Sequence, residues 1–257
     1  MTGLASLEIS AVRSFKHIER GDDLAALIAG AFQESGHALR TGDVVVVAQK
    51  IVSKSEGRLA DLAAISPSPR AVALGAEIGK DPRLVEVILS ESVRVVRKRP
   101  GLLIVEHRLG FVMANAGVDQ SNIAAPDGRE RALLLPEDPD GSAASLRARL
   151  LALTGATVGV VINDSFGRAW RRGTTGIALG VAGLPALIDL RGRTDLFGRR
   201  LEVSIVGFAD EIAAAASLLM GQADEGRPVV RVRGLEWSAP FSAAATLVRP
   251  PEEDLFR

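Results

Sequence analysis

Val158-Gly-Val-Val-Ile-Asn163-Asp164-Ser165-Phe-Gly-Arg168-Ala-Trp170-Arg171-Arg172-Gly173 is the stretch on which the reading of the fold turns. An apolar, β-branched run stops at an amide, a carboxylate and a hydroxyl, and arginines and glycines follow. Continuous hydrophobicity is the mark of a strand covered on both faces, as at the centre of an α/β sheet, here expected over 157–163. A buried strand ending in Asp164 and Ser165 sets two hard oxygen donors at a sheet edge. Arginines beyond it are suited to anions. A divalent cation flanked by anion binders suggests phosphate chemistry. Taken alone, a strand end capped by Asp and Ser with arginines in solvent accounts for the stretch equally well.

The rest of the chain surrounds this strand with alternating elements. Strands are expected at 7–12, 44–47, 93–96, 102–105, 111–114, 201–206 and 229–232. Helices are expected at 24–33 behind Asp22 or Asp23, after Asp81-Pro82, at 142–153 with Ser142 as cap and Gly155 as stop, and at 209–220. The alternation predicts a mixed α/β protein. A single domain spanning 1–257 is expected, and 126–141, rich in Pro, Asp and Gly, is the candidate long loop or break between two lobes.

Composition narrows the function. The 257 residues carry 31 basic and 31 acidic side chains, so no global basic field favours nucleic acid. No apolar run reaches the roughly 20 residues of a membrane span. The first residues lack the basic and apolar regions of a signal peptide, so a soluble cytoplasmic protein is expected. With no cysteine and three histidines, thiolate chemistry, sulfur-ligated zinc and a histidine-rich metal site are all disfavoured. Only five of the basic residues are lysines, a bias that makes arginine richness by itself uninformative.

Three further clusters match the first in kind. Ala114-Asn-Ala-Gly117-Val-Asp119-Gln-Ser121-Asn122 also follows an apolar run and ends in an acid, with Gly117 allowing a sharp turn. Asp119 and Asp164 would make a paired-carboxylate site for magnesium or manganese if their strands are neighbours; two unrelated turns are the plain alternative. Gln49-Lys50-Ile-Val-Ser53-Lys54-Ser-Glu56-Gly57-Arg58 places two of the five lysines just after a buried strand, where phosphate contacts lie in α/β sheets; solvated lysines on an amphipathic segment would look the same. Leu219-Met220-Gly221-Gln222 and Glu225 close the Ala-rich helix, and a plain glycine cap explains them as well as a ligand does. The chain has neither a Walker-type lysine loop nor a Gly-x-Gly-x-x-Gly after a strand, which excludes a P-loop and disfavours a standard dinucleotide fold.

In this order the four clusters resemble the coenzyme F420:L-glutamate ligase family, over residues 21–234. The resemblance implies a mixed α/β fold, neither P-loop nor ATP-grasp, in which two chains intertwine into a homodimer. It implies a GTP-dependent ligase that joins L-glutamate to the lactyl carboxylate of the deazaflavin F420 precursor through an acyl phosphate, with further γ-linked additions. It implies two Mg2+ or Mn2+ sites and often K+. Carried onto this sequence, Asp119, Asp164, Ser165 and Gln222 are the metal residues; Gln49, Lys54 and Asn122 contact nucleotide. Lys54 and Arg168 are the expected catalytic cations, with Arg171 and Arg172 as further candidates for holding glutamate or the precursor's phosphodiester. Phe15, Lys16, His17 and Ile18 stand where the family has a Leu-Pro-Glu segment near the base, and backbone contacts there would tolerate the change. Some relatives continue into a nitroreductase-like domain; ending at Arg257, this chain is expected to have ligase chemistry only. The competing readings are a related ligase acting on another carboxylate acceptor and a nucleotide-binding module without catalysis.

Overall fold

The computed structural model describes residues 4–13, 15–123 and 128–254. The elements run β1 (Glu8–Ala11), α1 (Leu24–Glu34), β2 (Val44–Ala48), α2 (Gln49–Ser55), β3 (Leu59–Asp61), α3 (Pro69–Ile78), α4 (Pro82–Ser90), β4 (Ser92–Arg99), β5 (Leu102–His107) and β6 (Val112–Ala114). They continue with β7 (Arg131–Leu133), α5 (Pro139–Thr154), β8 (Gly159–Arg168), β9 (Arg171–Ala182), β10 (Ile188–Asp189), β11 (Ile205–Val206), α6 (Phe208–Met220) and β12 (Val229–Arg233). The protein is mixed α/β, as the alternation predicts.

The main sheet has the order β1-β12-β2-β8-β9. Among the described residues only β2 and β8 are parallel, with Val44 opposite Gly159 and Ala48 opposite Asn163. Their β-branched runs are covered on both faces. Val45, Val47, Val160 and Ile162 pack beneath α1 and α5, while Val44, Val46 and Val161 pack beneath α6. A second sheet, β4-β5-β6, lies with α3 and α4 around Val85, Ile88, Leu103 and Val105. β3 and β7 form a short ribbon between the two. Among the described residues no helix is long and apolar enough to cross a membrane.

Several expectations need correction. The central strand does not stop at Asn163 but runs on to Arg168, because β9 continues to pair with it. The helix expected from Ser142 begins at Pro139: Asp138 accepts from the Gly141 amide and Pro139 takes the first helical position, the same Asp-Pro start as at Asp81-Pro82. Ser142 instead donates to Glu56. Of 201–206 only Ile205–Val206 is strand. Residues 126 and 127 lie outside the described residues; within the remainder of 126–141 are β7 and the first turn of α5. The helix α3, introduced by Ser68-Pro69, and the twelve-residue strand β9 are additions to the expected elements.

Candidate active site

β2 ends at Ala48, level with Asn163, and the chain turns at once into α2. β8 runs on. Its next residue, Asp164, therefore pairs with β9 on one side and has α2 in place of a strand on the other. The carboxyl end of a parallel strand pair is where open α/β sheets bind ligands. From α2, Lys50 and Lys54 point the same way because they stand one helical turn apart.

Asp119 arrives from the second sheet. After β6 the backbone makes three successive left-handed residues, Asn115 (φ 51°), Ala116 (φ 54°) and Gly117 (φ 67°). Such residues, where they carry a Cβ, cost about 1–3 kcal/mol each and concentrate at functional loops. Ala116 is buried without residual exposure, and the Asn115 side chain accepts from the Leu103 amide, so packing and a hydrogen bond hold the turn. Gly117 is required twice over: besides its φ, a Cβ there would lie 2.8 Å from the Leu135 side chain and 2.9 Å from Met113. Asp119 then exchanges both backbone hydrogen bonds with Leu133. Asn122 is left-handed too, at φ 57°.

Lys50 Nζ lies 2.5 Å from Asp119 Oδ2 and donates to Ser121 Oγ at 2.7 Å. Ser121 donates its amide to Asp119 Oδ1 and its hydroxyl to Oδ2, each at 2.8 Å. Lys54 Nζ donates to the Asn122 carbonyl at 2.7 Å. Burial acts to raise the pKa of Asp119, but the hydrogen bonds from Lys50 and Ser121 outweigh it and hold the group below its ordinary value. Asp164 is pushed up to about 6, chiefly by burial; the Ser165 amide and Lys50 oppose the rise, and the charge of Asp119 adds to it. Burial and the neighbouring Lys50 lower the pKa of Lys54. Lys50, Lys54, Asp119, Asn122 and Asp164 thus form one electrostatic unit. Asp119 follows β6 of the second sheet and Asp164 lies in β8 of the main sheet, so their strands are not neighbours; what links the two carboxylates is the charge of Asp119 felt at Asp164.

The other expected residues are placed differently. Side chains alternate along a strand, so Ser165 leaves β8 on the face opposite Asp164. That is the α6 face, where Asn163 donates to Ser217 Oγ and Met220 Sδ, and the exposed Gln222 follows two residues beyond Met220. Arg168 stands at the far end of β8, exposed, with its guanidinium 3.4 Å from the Arg172 carbonyl. Gln49 is buried and its Oε1 accepts from Ser53 within α2, so its side chain does not face the site. Phe15 and Ile18 pack into the core below α1; Lys16 pairs with Asp22, and His17 is exposed. Contacts from 15–18 are thereby left to the backbone and the two exposed side chains. Lys50 and Ser121 belong to these motifs, yet no pattern in the sequence singles Ser121 out. The sequence signal for Lys50 was its helical spacing from Lys54. A cleft of about 540 Å3 opens at the other end of α2, with Asp22, Ser55, Glu56, Asp138 and Arg149 among its walls.

Fold and site together define a mixed α/β protein with a lysine–carboxylate centre at the carboxyl end of the parallel pair β2–β8. The profile of the F420-0:gamma-glutamyl ligase family matches residues 14–234. The coenzyme F420:L-glutamate ligase of Methanopyrus kandleri is 48% identical across the full length of both chains. The proteins of the same name from Methanothermobacter thermautotrophicus and Archaeoglobus fulgidus are 46% and 45% identical, each over 98% of this chain and 99% and 96% of their own. The chain belongs to the F420-0:gamma-glutamyl ligase family.

Proposed function

We propose that this chain is a GTP-dependent coenzyme F420:L-glutamate ligase that works in the cytoplasm. The observation that carries the reading is the cluster of Lys50, Lys54, Asp119 and Asp164 in a chain matched end to end by relatives of that name. A carboxylate is a poor electrophile, and condensing it with an amine in water is uphill. In the proposed reaction an oxygen of the precursor carboxylate attacks the γ-phosphorus of GTP, GDP leaves, and an acyl phosphate results. The glutamate amine then attacks the acyl carbon, the C–O bond to phosphate breaks, and an amide and inorganic phosphate are formed. No protein nucleophile is needed, in keeping with a chain that lacks cysteine. Lys54 supplies fixed positive charge to the phosphates, and phosphoryl transfer rests largely on such positioning and charge.

A hard divalent cation fits the donor set. The ammonium of Lys50 already sits where Asp119 Oδ2 and Ser121 Oγ converge, so the position accommodates a positive charge. Two carboxylates suit Mg2+ or Mn2+ completed by water and phosphate oxygens rather than a closed protein cage. Asp119 and Asp164 would hold the ion, with Ser165 and Gln222 as the candidate donors to a second one from the other face of β8. When bound, such ions neutralise the phosphate oxygens. K+ is proposed as an accessory cation.

Acceptors in the α2 cleft, Glu56 and Asp22 among them, complement the ring N–H and amino donors of guanine, in line with GTP over ATP. Leaving buried partners unmatched costs about 1–3 kcal/mol each. The working form is proposed to be a homodimer. The decisive experiment measures phosphate release from GTP and from ATP at matched metal, with and without precursor and L-glutamate, alongside product mass. Release that needs both substrates, with a mass increase of one glutamate, supports the ligase. Tight nucleotide binding without turnover would leave a binding module, and equal rates with ATP would remove the guanine preference.

A further inference from the structure

Both oxygens of Asp119 are engaged. Oδ1 accepts from the Ser121 amide and Oδ2 from the Ser121 hydroxyl, and the ammonium of Lys50 lies against Oδ2 as well. These contacts differ in how readily they are given up. Ser121 is two residues along the same turn, and that turn is fixed by the backbone exchange between Asp119 and Leu133. Lys50 comes from a different element, α2, on a flexible four-carbon stem. Its side chain is 28% exposed, so it can swing out while α2 and the turn stay in place.

A divalent ion held by Asp119 would lie about 2.0–2.6 Å from a carboxylate oxygen. That is the space the Lys50 nitrogen takes up, 2.5 Å from Oδ2 and 2.7 Å from Ser121 Oγ. Two cations do not share one such position, because like charges at contact distance repel strongly in a half-buried site. The reach of Lys50 extends to the second carboxylate: its charge opposes the rise in the pKa of Asp164. One ammonium therefore supplies positive charge to both acids that the ligase reading assigns to the ion.

We propose that Lys50 is a built-in competitor of the divalent ion: its ammonium neutralises Asp119 until an ion displaces it, and the ion loads only as Lys50 swings away. The inference rests on the ligase reading above and deepens it. The displaced ammonium needs another anion, and phosphate oxygens arriving beside Lys54, one helical turn along α2, provide one. Ion and phosphate are thereby coupled, each favouring entry of the other. A plain structural ion pair would act with the opposite sign. If Lys50 merely held the 115–122 turn, its loss would loosen Asp119 and weaken ion binding; as a competitor, its loss strengthens ion binding.

The test is Mn2+ binding without nucleotide, the free ion read by electron paramagnetic resonance, on wild type, Lys50→Met and Lys50→Arg. Methionine keeps much of the stem and removes the charge. Lys50→Met should bind Mn2+ about tenfold or more tightly than wild type, Lys50→Arg should stay close to wild type, and adding Asp119→Asn to Lys50→Met should abolish the gain. A second readout needs no variant. Acetylation of Lys50 in the wild type, measured by mass spectrometry against Lys80 and Lys98, should rise severalfold when Mn2+ is added. Lys50→Met that binds Mn2+ no more tightly than wild type, or Lys50 acetylation that does not respond to Mn2+, overturns the competitor role. Either result beside metal-dependent phosphate release that needs precursor and L-glutamate overturns this inference alone. Wild type with no such release in Mg2+ or Mn2+ removes the ligase reading, whatever the Mn2+ titration of Lys50→Met shows.

Discussion

Glu91, the residue that closes α4, joins parts of the chain far apart in sequence. Its Oε2 accepts from Arg58 Nη2 and Arg108 Nε, each at 3.0 Å. His107 Nε2 lies 3.5 Å away. His107 Nδ1 accepts from the Leu109 amide, which leaves Nε2 as the ring nitrogen that faces Glu91. Burial acts to raise the pKa of Glu91, but the His107 and Arg108 contacts and the charge of Arg58 win and hold it at about 2. A carboxylate whose pKa is depressed on folding stabilises the fold fully above its unfolded value near 4.5 and loses that contribution as the pH falls through 2. The gap corresponds to ~3 kcal/mol. Glu91→Gln should therefore lower stability to urea at pH 7 by about that amount, with the difference from wild type shrinking at pH 3. A difference that stays constant with pH would show that the charge is not the cause. Asp119 is a contrasting case. It is partly exposed at a loop, beside the partly exposed Lys50. Asp119→Asn should cut turnover on the order of 100-fold or more while thermal stability changes little. Wild-type turnover in that variant would remove Asp119 from the mechanism.

Among the elements, β9 shows best what sequence does and does not disclose. Glycines at 173, 176 and 180 suppress the strand signal, and they allow backbone to approach closely. The close approach occurs inside the chain. A Cβ on Gly176 would lie 2.4 Å from the Ala213 carbonyl of α6, and one on Gly180 only 2.2 Å from the Pro139 carbonyl of α5. Two helices press on the strand from opposite faces, and backbone cannot yield as a side chain does. Gly180→Ala should cost about 1–3 kcal/mol or more, a fall in melting temperature of several degrees for a chain this size, measurable by calorimetry. An unchanged melting temperature would mean that α5 shifts freely. Elsewhere local signals were sufficient. The valine run of β2, the Asp-Pro start of α4 and the spacing of α6 each carry their structure in a few adjacent residues. For α5 the same Asp-Pro signal was present at Asp138-Pro139 but lost to the nearby Ser142, and Ser68-Pro69 was obscured by the neighbouring Ser66-Pro67. In the candidate site, Asp119 and Asp164 were legible as acids that end apolar runs. Their electrostatic coupling was not, because it depends on how the second sheet packs against the first, which no periodicity within either segment encodes.

For the molecule as a whole, the segment between β10 and β11 stands apart from the core. Leu196, Phe197 and Val203 are 98%, 96% and 85% exposed, and the segment is tied mainly to itself, through Asp195 and the Thr194–Arg200 bridge. Apolar side chains presented this way mark an interaction surface. A homodimer is expected in light scattering, and Phe197→Ser should weaken it; a wild-type monomer at micromolar concentration would refute the assembly.

The sheet order places β12 between β1 and β2, with Val229 opposite Val47 and Val232 opposite Val44. On the ribosome this order sets a schedule. The sequences of β2, β8 and β9 emerge well before residue 229, so the edge of β2 that β12 will fill must wait, exposing four consecutive valines and their unpaired amides. Such an edge templates association with other nascent chains. β1, made first of all, can join the sheet only after the last strand has been translated. A chain terminated at residue 226 should accordingly collect in the insoluble fraction, and one carrying through residue 234 should not. The stretch between residues 48 and 229 is in this sense the interval during which the nascent protein carries an open sheet edge.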